Sequence, residues 1–226
     1  MLNKTLQKKN TFLLILISAM LCCSIISCGN GASPQENNPK IIPPPNNKVE
    51  IEKNDLYAPV DKSPMDVSYY PADYPMQIMT ATDPGDLIAR VFYSRPQKNG
   101  RQIFVDSNTS TNYIQQYGKE WRLGANEATE IEFFKDVTIK NKKFSKGRYI
   151  IYCIPYPEKW QIIFNSNLFS WGLHMDKSKD ITQIELPVTN TNSGTEFFSM
   201  IFQKADHGCN LVMAWGNIEV VMPINF

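Results

Sequence analysis

Histidine is nearly missing from this chain: His174 and His207 are the only two in 226 residues. They do not form the short-spaced pair on which most zinc sites are built, and Asp206-His207-Gly208-Cys209 alone offers too few ligands for a metal. Glycine is also sparse, at 11 residues, and none of it builds a phosphate-cradling loop or a Gly-x-Ser-x-Gly nucleophile elbow. Neither sign of charge dominates, with 23 basic against 22 acidic residues. That excludes the basic footprint of a nucleic-acid-binding protein, so no nucleic-acid partner is expected. No apolar run reaches the roughly 20 residues that cross a bilayer as a helix.

What is present begins at the N-terminus. Lys4, Lys8 and Lys9 precede a short apolar core, Phe12 to Ile17 and Ala19 to Leu21, which closes on Ile25-Ile26-Ser27-Cys28. An apolar pair, a small residue and a cysteine in that order suit a bacterial lipoprotein signal cut before an acylated Cys28. An ordinary secretory signal or a membrane anchor is the alternative. On the lipoprotein reading residues 1–27 are removed, and Cys28 carries the lipid and cannot serve as a terminal nucleophile. The chain then loses three basic residues and no acidic one, for a mature net charge of −2. Residues 28–63, rich in Asn, Pro, Lys and Glu around Pro43-Pro44-Pro45, have too little apolar surface to offset ordering entropy and read as a tether. Gly29-Asn30-Gly31-Ala32-Ser33 lacks an acidic cluster like a surface-export signal, so the expected location is the outer membrane, facing the periplasm.

Residues 64–226 fit one β-rich domain. Leu87 to Ser94, Thr129 to Phe134, Val137 to Lys140, Tyr149 to Ile154 and Trp160 to Phe164 read as strands. Asn141-Lys142-Lys143 is expected to turn. Later strands are expected at Asp180 to Val188, Glu196 to Gln203, Leu211 to Trp215 and Ile218 to Ile224, the last pair joined by a hairpin at Gly216-Asn217. A turn or two of helix is expected near Tyr113 to Arg122. Short strands about ten residues apart predict an all-β fold, an antiparallel β-sandwich, with a jelly roll or open barrel as alternative. Cys153 and Cys209 are the remaining thiols. Export would allow a disulfide between them, although Cys153 sits in an apolar strand that suits a buried free thiol.

The densest polar cluster comprises Tyr93-Ser94-Arg95-Pro96, Gly100-Arg101 and Trp121-Arg122-Leu123-Gly124-Ala125-Asn126-Glu127-Ala128-Thr129. With Gly147-Arg148-Tyr149 to Pro155, Trp160 to Asn165 and Trp171-Gly172, it resembles the domain-of-unknown-function 2911 family over about Pro64 to Phe226. Members are exported proteins common in Bacteroidetes, and the resemblance implies no activity. The stretch Val105-Asp106 and Ser107 to Thr111 departs from the family spacing.

Arg95, Arg101 and Arg122 offer planar donor forks suited to carboxylate or phosphate. Asn126 could read an amide or hydroxyl, and Glu127 could pair with an arginine or act as a base. The same groups also suit corner-stapling of a sandwich. Trp121, Trp160, Trp171 and Trp215, with Tyr69, Tyr70 and Tyr93, could stack on a sugar or fill the core. Trp160 and Trp215 fit the core and Trp171 a ligand contact. The candidate ligand-binding set is therefore Arg95, Arg101, Arg122, Asn126, Glu127 and Trp171, with no cofactor and no catalytic residue. The leading function is a monomeric, membrane-anchored module binding a small molecule, glycan or protein. A hydrolase of glycan or peptidoglycan-derived material, using Glu127 with Glu130 or an arginine, is the alternative.

Overall fold

The computed structural model describes residues 61–106 and 111–226. Cys28, the signal and the tether up to residue 60 lie outside the described residues. Among the described residues, eleven strands, one short α-helix and a single 3-10 turn at Lys177–Lys179 follow one another, beginning with β1 (Met65–Tyr70), α1 (Tyr74–Thr80), β2 (Ala89–Ser94), β3 (Gln102–Val105), β4 (Tyr113–Gln116) and β5 (Glu130–Phe133). Then come β6 (Val137–Ile139), β7 (Lys142–Phe144), β8 (Gly147–Pro155), β9 (Lys159–Asn165), β10 (Asp180–Ala205) and β11 (Gly208–Asn225). Among the described residues, no helix is long and apolar enough to cross a membrane.

Period-2 patterning accounts for the sheet. In β5, Ile131 and Phe133 are buried while Glu130 and Glu132 stand on the opposite face, as alternation on a pleated strand requires. The antiparallel order is β1-β2-β5-β8-β9-β10-β11-β6-β7, beside a separate parallel pair β3-β4. β10 makes this one folded-over sheet. Its first part, Asp180 to Pro187, pairs with β9, and Val188 to Ala205 pairs with β11. Register shifts between Asn190 and Ser199 mark irregular pairing where the strand passes between the two layers, as bulged sandwich corners do. The far side is closed by hydrogen bonds from the Tyr93 hydroxyl to Met200 O (3.2 Å) and from the Tyr70 hydroxyl to Gly208 O (3.2 Å).

Between the layers lies an aromatic pile. Trp121 stacks on Trp215 at 5.7 Å, meets Trp160 edge-on at 5.5 Å, and touches Phe198 at 5.0 Å. Three of the four tryptophans are thus core, in line with the large apolar area each removes from water. The fold is the all-β sandwich expected, with several local differences.

The two late strand pairs are two long strands. Gly216-Asn217 is no hairpin: Gly216 has φ +56° inside β11. It permits a kink in β11, and a Cβ there would lie 2.6 Å from Ile103 Cδ1. The hairpin is at Asp206-His207, closed by Ala205 opposite Gly208. The turn expected at Asn141-Lys142-Lys143 is Lys140-Asn141, with φ +47° and +65°. Both residues are left-handed, as the hairpin turn compatible with strand twist demands. Tyr113 to Arg122 holds β4 and a turn instead of helix. The helix is α1, with no buried residue, so no apolar stripe announced it. Cys153 and Cys209 are free and buried, on strands β8 and β11 that are not neighbours in the sheet. The disulfide is therefore not formed.

Candidate functional site

Two loops beside the start of β1 build the site. The first, residues 117–129, carries the Trp-Arg-x-Gly-Ala-Asn-Glu-Ala-Thr string. It is tied to β8 by reciprocal backbone bonds between Trp121 and Cys153 (2.7 and 2.8 Å). Inside the loop, Trp121 Nε1 donates to Gly124 O (3.2 Å) and Thr129 Oγ1 to Leu123 O (2.7 Å). Leu123 and Asn126 take left-handed backbone. These bonds satisfy the buried polar groups that a loop inside a sandwich edge would otherwise strand.

The second loop runs from Ser166 to Met175. Ala128 N donates to Ser170 O (3.1 Å), and the Arg122 guanidinium donates through Nη1 to Trp171 O (3.1 Å). Gly172 packs so tightly that a Cβ there would lie 2.9 Å from Ala128 Cβ and 3.0 Å from Arg122 Cβ. The family-like string and Trp171-Gly172, some fifty residues apart, are thus one interlocked unit.

The six expected ligand residues divide. Arg95 staples the layers: it reaches Asp66 Oδ2 (3.2 Å), Phe198 O (3.3 Å) and Ser199 Oγ (3.0 Å). Arg101 donates to the carbonyls of Gln97 (2.7 Å) and Lys98 (3.1 Å) in its own loop. Both have structural partners, and neither lines the cleft described below. Arg122 is spent in part on the Trp171 carbonyl. Burial holds its guanidinium below the ordinary arginine range, and the Glu127 carboxylate opposes that shift. Asn126 Nδ2 donates to Asp61 Oδ2 (2.5 Å) and lies 3.4 Å from Ser63 O, fastening the chain ahead of β1 to the first loop. Glu127 and Trp171 are exposed. The three guanidinium groups do not converge on one ligand position.

The structure adds a cleft of ≈ 390 Å³ in which Glu127 stands with Met65, Phe92, Glu130, Arg148 and Phe169. Glu130 and Arg148, which line it, belong to a charge ladder on the outward face of β2, β5 and β8. Arg90 pairs with Glu132 at 2.6 Å, and Arg148 bridges Glu130 (3.4 Å) and Glu132 (3.5 Å). The register sets these residues opposite one another, Arg90 against Glu132 and Glu132 against Arg148, where opposite charges attract across a sheet. Both guanidinium groups also sit over the Phe92 ring, at 4.8 and 5.8 Å. Glu130 spends its other oxygen on Phe169 N (3.3 Å). Glu127 makes no hydrogen bond or ion pair among the described residues.

Sequence reading paired Glu130 with Glu127 but missed Met65, Phe92, Arg148 and Phe169 beside them. Glu130 and Glu132 are legible as the polar face of a strand. Only the strand order places Arg148 and Arg90 on either side of them. Phe169 stands in the same short string as Trp171 and was within reach. Among the described residues, no group of three or more His, Cys, Asp or Glu side chains is placed to hold a metal ion.

The profile of a family described as a protein of unknown function, DUF2911, matches residues 75–224. No curated protein and no solved structure matches the chain.

Proposed function

The chain belongs to the DUF2911 family, and from that premise we propose that it is a ligand-binding module tethered to the cell envelope. On this reading Cys28 is acylated and residues 29–63 hold the domain at the periplasmic face of the outer membrane. The Glu127 cleft is the ligand seat. One observation carries the reading: the Glu127 carboxylate, which makes no hydrogen bond among the described residues and only feels the charge of Arg122, stands in a cleft that Met65, Phe92 and Phe169 line with apolar surface. A cleft of this volume lies within the range, about 300–1,000 Å³, that encloses small ligands. Phe92 and Phe169 offer apolar faces, Glu127 an acceptor, and the Ser170 hydroxyl and Arg148 donors. That combination suits one saccharide unit or a similarly sized polyol or amine with an apolar side.

Glu127→Gln tests it. Glycans, polyols and amines are titrated calorimetrically into the wild-type and variant domains. A ligand bound by the wild type and weakened about tenfold or more in the variant supports the reading, since hydrogen bonds to a charged group contribute about 1.5–3 kcal/mol. Equal affinities would remove Glu127 from the site. Glu127 and Glu130 line the same cleft, and this favours the second reading, a hydrolase. Turnover of a bound glycan that Glu127→Gln abolishes would replace binding with hydrolysis. Incorporation of labelled palmitate into the wild type but not into Cys28→Ala tests the anchor separately.

A further inference from the structure

The 166–175 loop presents large apolar side chains to solvent. Phe169 is 82% exposed, Trp171 53% and Leu173 64%. Exposure of this kind in a floppy loop would mean little, but this loop is held. Its backbone is bonded to Arg122, Ala128 and Glu130, and Gly172 N donates to Ser170 Oγ (3.2 Å). Phe169 itself takes φ +62°, a conformation that costs free energy for a bulky residue. The fold therefore fixes three apolar side chains outward at that cost. Contiguous exposed apolar residues mark contact with a partner or a membrane.

Two observations decide between those occupants. The first is where the remainder of the chain joins. Residues 1–60, with the apolar run Phe12 to Leu21 and Cys28, connect at Asp61. Asp61 and Ser63 are hydrogen-bonded by Asn126 of the loop that also clasps Trp171. Whatever tethers the chain pulls on this corner. The second is charge. Lys177 is paired with Glu120 at 2.7 Å, Asp176 caps its own turn, and Arg122 lies near Glu127. With the local charges largely balanced, apolar partitioning would dominate, and aromatic side chains favour the bilayer interface. The rival apolar patch, Met76, Ile78 and Met79 on α1, follows the other end of β1. It lies about 20 Å along that strand from the tether side.

We propose that Phe169, Trp171 and Leu173 form a foot that inserts into the interfacial region of a phospholipid bilayer and brings the Glu127 cleft to the membrane surface. The inference rests on the reading of Cys28 as an anchor, but its test does not. The segment Asp55–Phe226 is one compact unit holding the whole described core, so it can be studied without any acyl chain. Its tryptophan signal is selective, because Trp121, Trp160 and Trp215 are at most 6% exposed and Trp171 alone is open.

Mixed with phosphatidylcholine vesicles, the domain should co-sediment. Its emission should shift to the blue, and Trp171 should become shielded from acrylamide. High salt should change little. Phe169→Ser with Leu173→Ser should weaken partitioning more than about tenfold. Met76→Ser with Met79→Ser should leave it unaltered, and thermal unfolding would verify that both variants are folded. Absence of vesicle binding, unchanged quenching of Trp171, or dependence on α1 instead of the loop would each overturn the foot. Vesicle binding by the domain with no palmitate on Cys28 would refute the anchor and leave the foot standing.

Discussion

Gly172 shows how one residue can hold a site together. It takes φ +79° and abuts Ala128 and Arg122, so an added methyl would meet both a backbone penalty and a packing clash. Gly85 is the natural control: its φ of +71° is similar, but nothing lies within 4 Å of an added Cβ. Gly85→Ala should cost about 1 kcal/mol, the conformational part alone. Gly172→Ala should cost about 2–3 kcal/mol, because overpacking adds to it. For a domain of this size, that is roughly 2–4 °C in Tm for the first and about 4–12 °C for the second. Differential scanning calorimetry of the pair would show it, and equal losses would mean that the loops are not tightly interlocked. The same residue-level view separates the arginines. Arg95 and Arg101 are consumed by carbonyls and by Asp66, whereas Arg122 has the Trp171 carbonyl and the charge of Glu127.

At the level of elements, strands with alternation or with a dense apolar run bounded by turn residues were legible, and those with neither were not. β2, β5, β8 and β9 announce themselves by β-branched and aromatic runs ending at Gly, Pro or polar turns. β1 has no fully buried residue, and β3 is only four residues long, so the apolar pattern of each is thin. The continuity of β10 and β11 was hidden because Asn190 to Gly194 and Gly216-Asn217 carry turn chemistry. Here that chemistry serves irregular pairing and a kink within long strands, and a glycine with positive φ suits a bulge as well as a turn. Placement of the cleft was illegible for a related reason, since cross-strand partners depend on strand order. The Lys140-Asn141 turn offers a direct check. Both residues pay the left-handed penalty at φ +47° and +65°, and Asn-Gly is the pair best suited to that turn. Lys140→Asn with Asn141→Gly should raise stability by about 1 kcal/mol, or about 2–4 °C. A lowered Tm would show that Lys140 or Asn141 has a role beyond the turn.

For the whole molecule, sealing an aromatic interior with tyrosine hydroxyls makes stability sensitive to base. Burial is the first cause that raises the pKa of Tyr70, Tyr93, Tyr117, Tyr149 and Tyr152 above the ordinary 10.0. Tyr152 is raised furthest: beyond burial, its hydroxyl donates to both oxygens of Asp180 (2.9 and 3.1 Å), whose charge opposes ionisation. Burial likewise pushes the Cys209 thiol up to about 12 and the Cys153 thiol well above its ordinary 9.0. Each of these groups binds its proton more tightly when folded than when unfolded. Their contribution is therefore complete below about pH 8, where both states are protonated. It is lost as pH rises, first because the unfolded chain ionises and then as the folded groups follow. The expected outcome is a denaturation midpoint that is level near pH 7 to 8 and falls steadily above it. Absorbance should show tyrosinate from the buried rings only as unfolding proceeds. Tyr152→Phe removes the group with the largest tyrosine shift, so its midpoint should fall less steeply between pH 10 and 12 than the wild type's. It should also start lower at neutral pH, where Asp180 keeps only the Asn165 amide, at 2.7 Å, of these two donors. Parallel alkaline slopes for the two proteins would show that Tyr152 ionises freely in the fold, and that the seal at β8 and β10 is open to water.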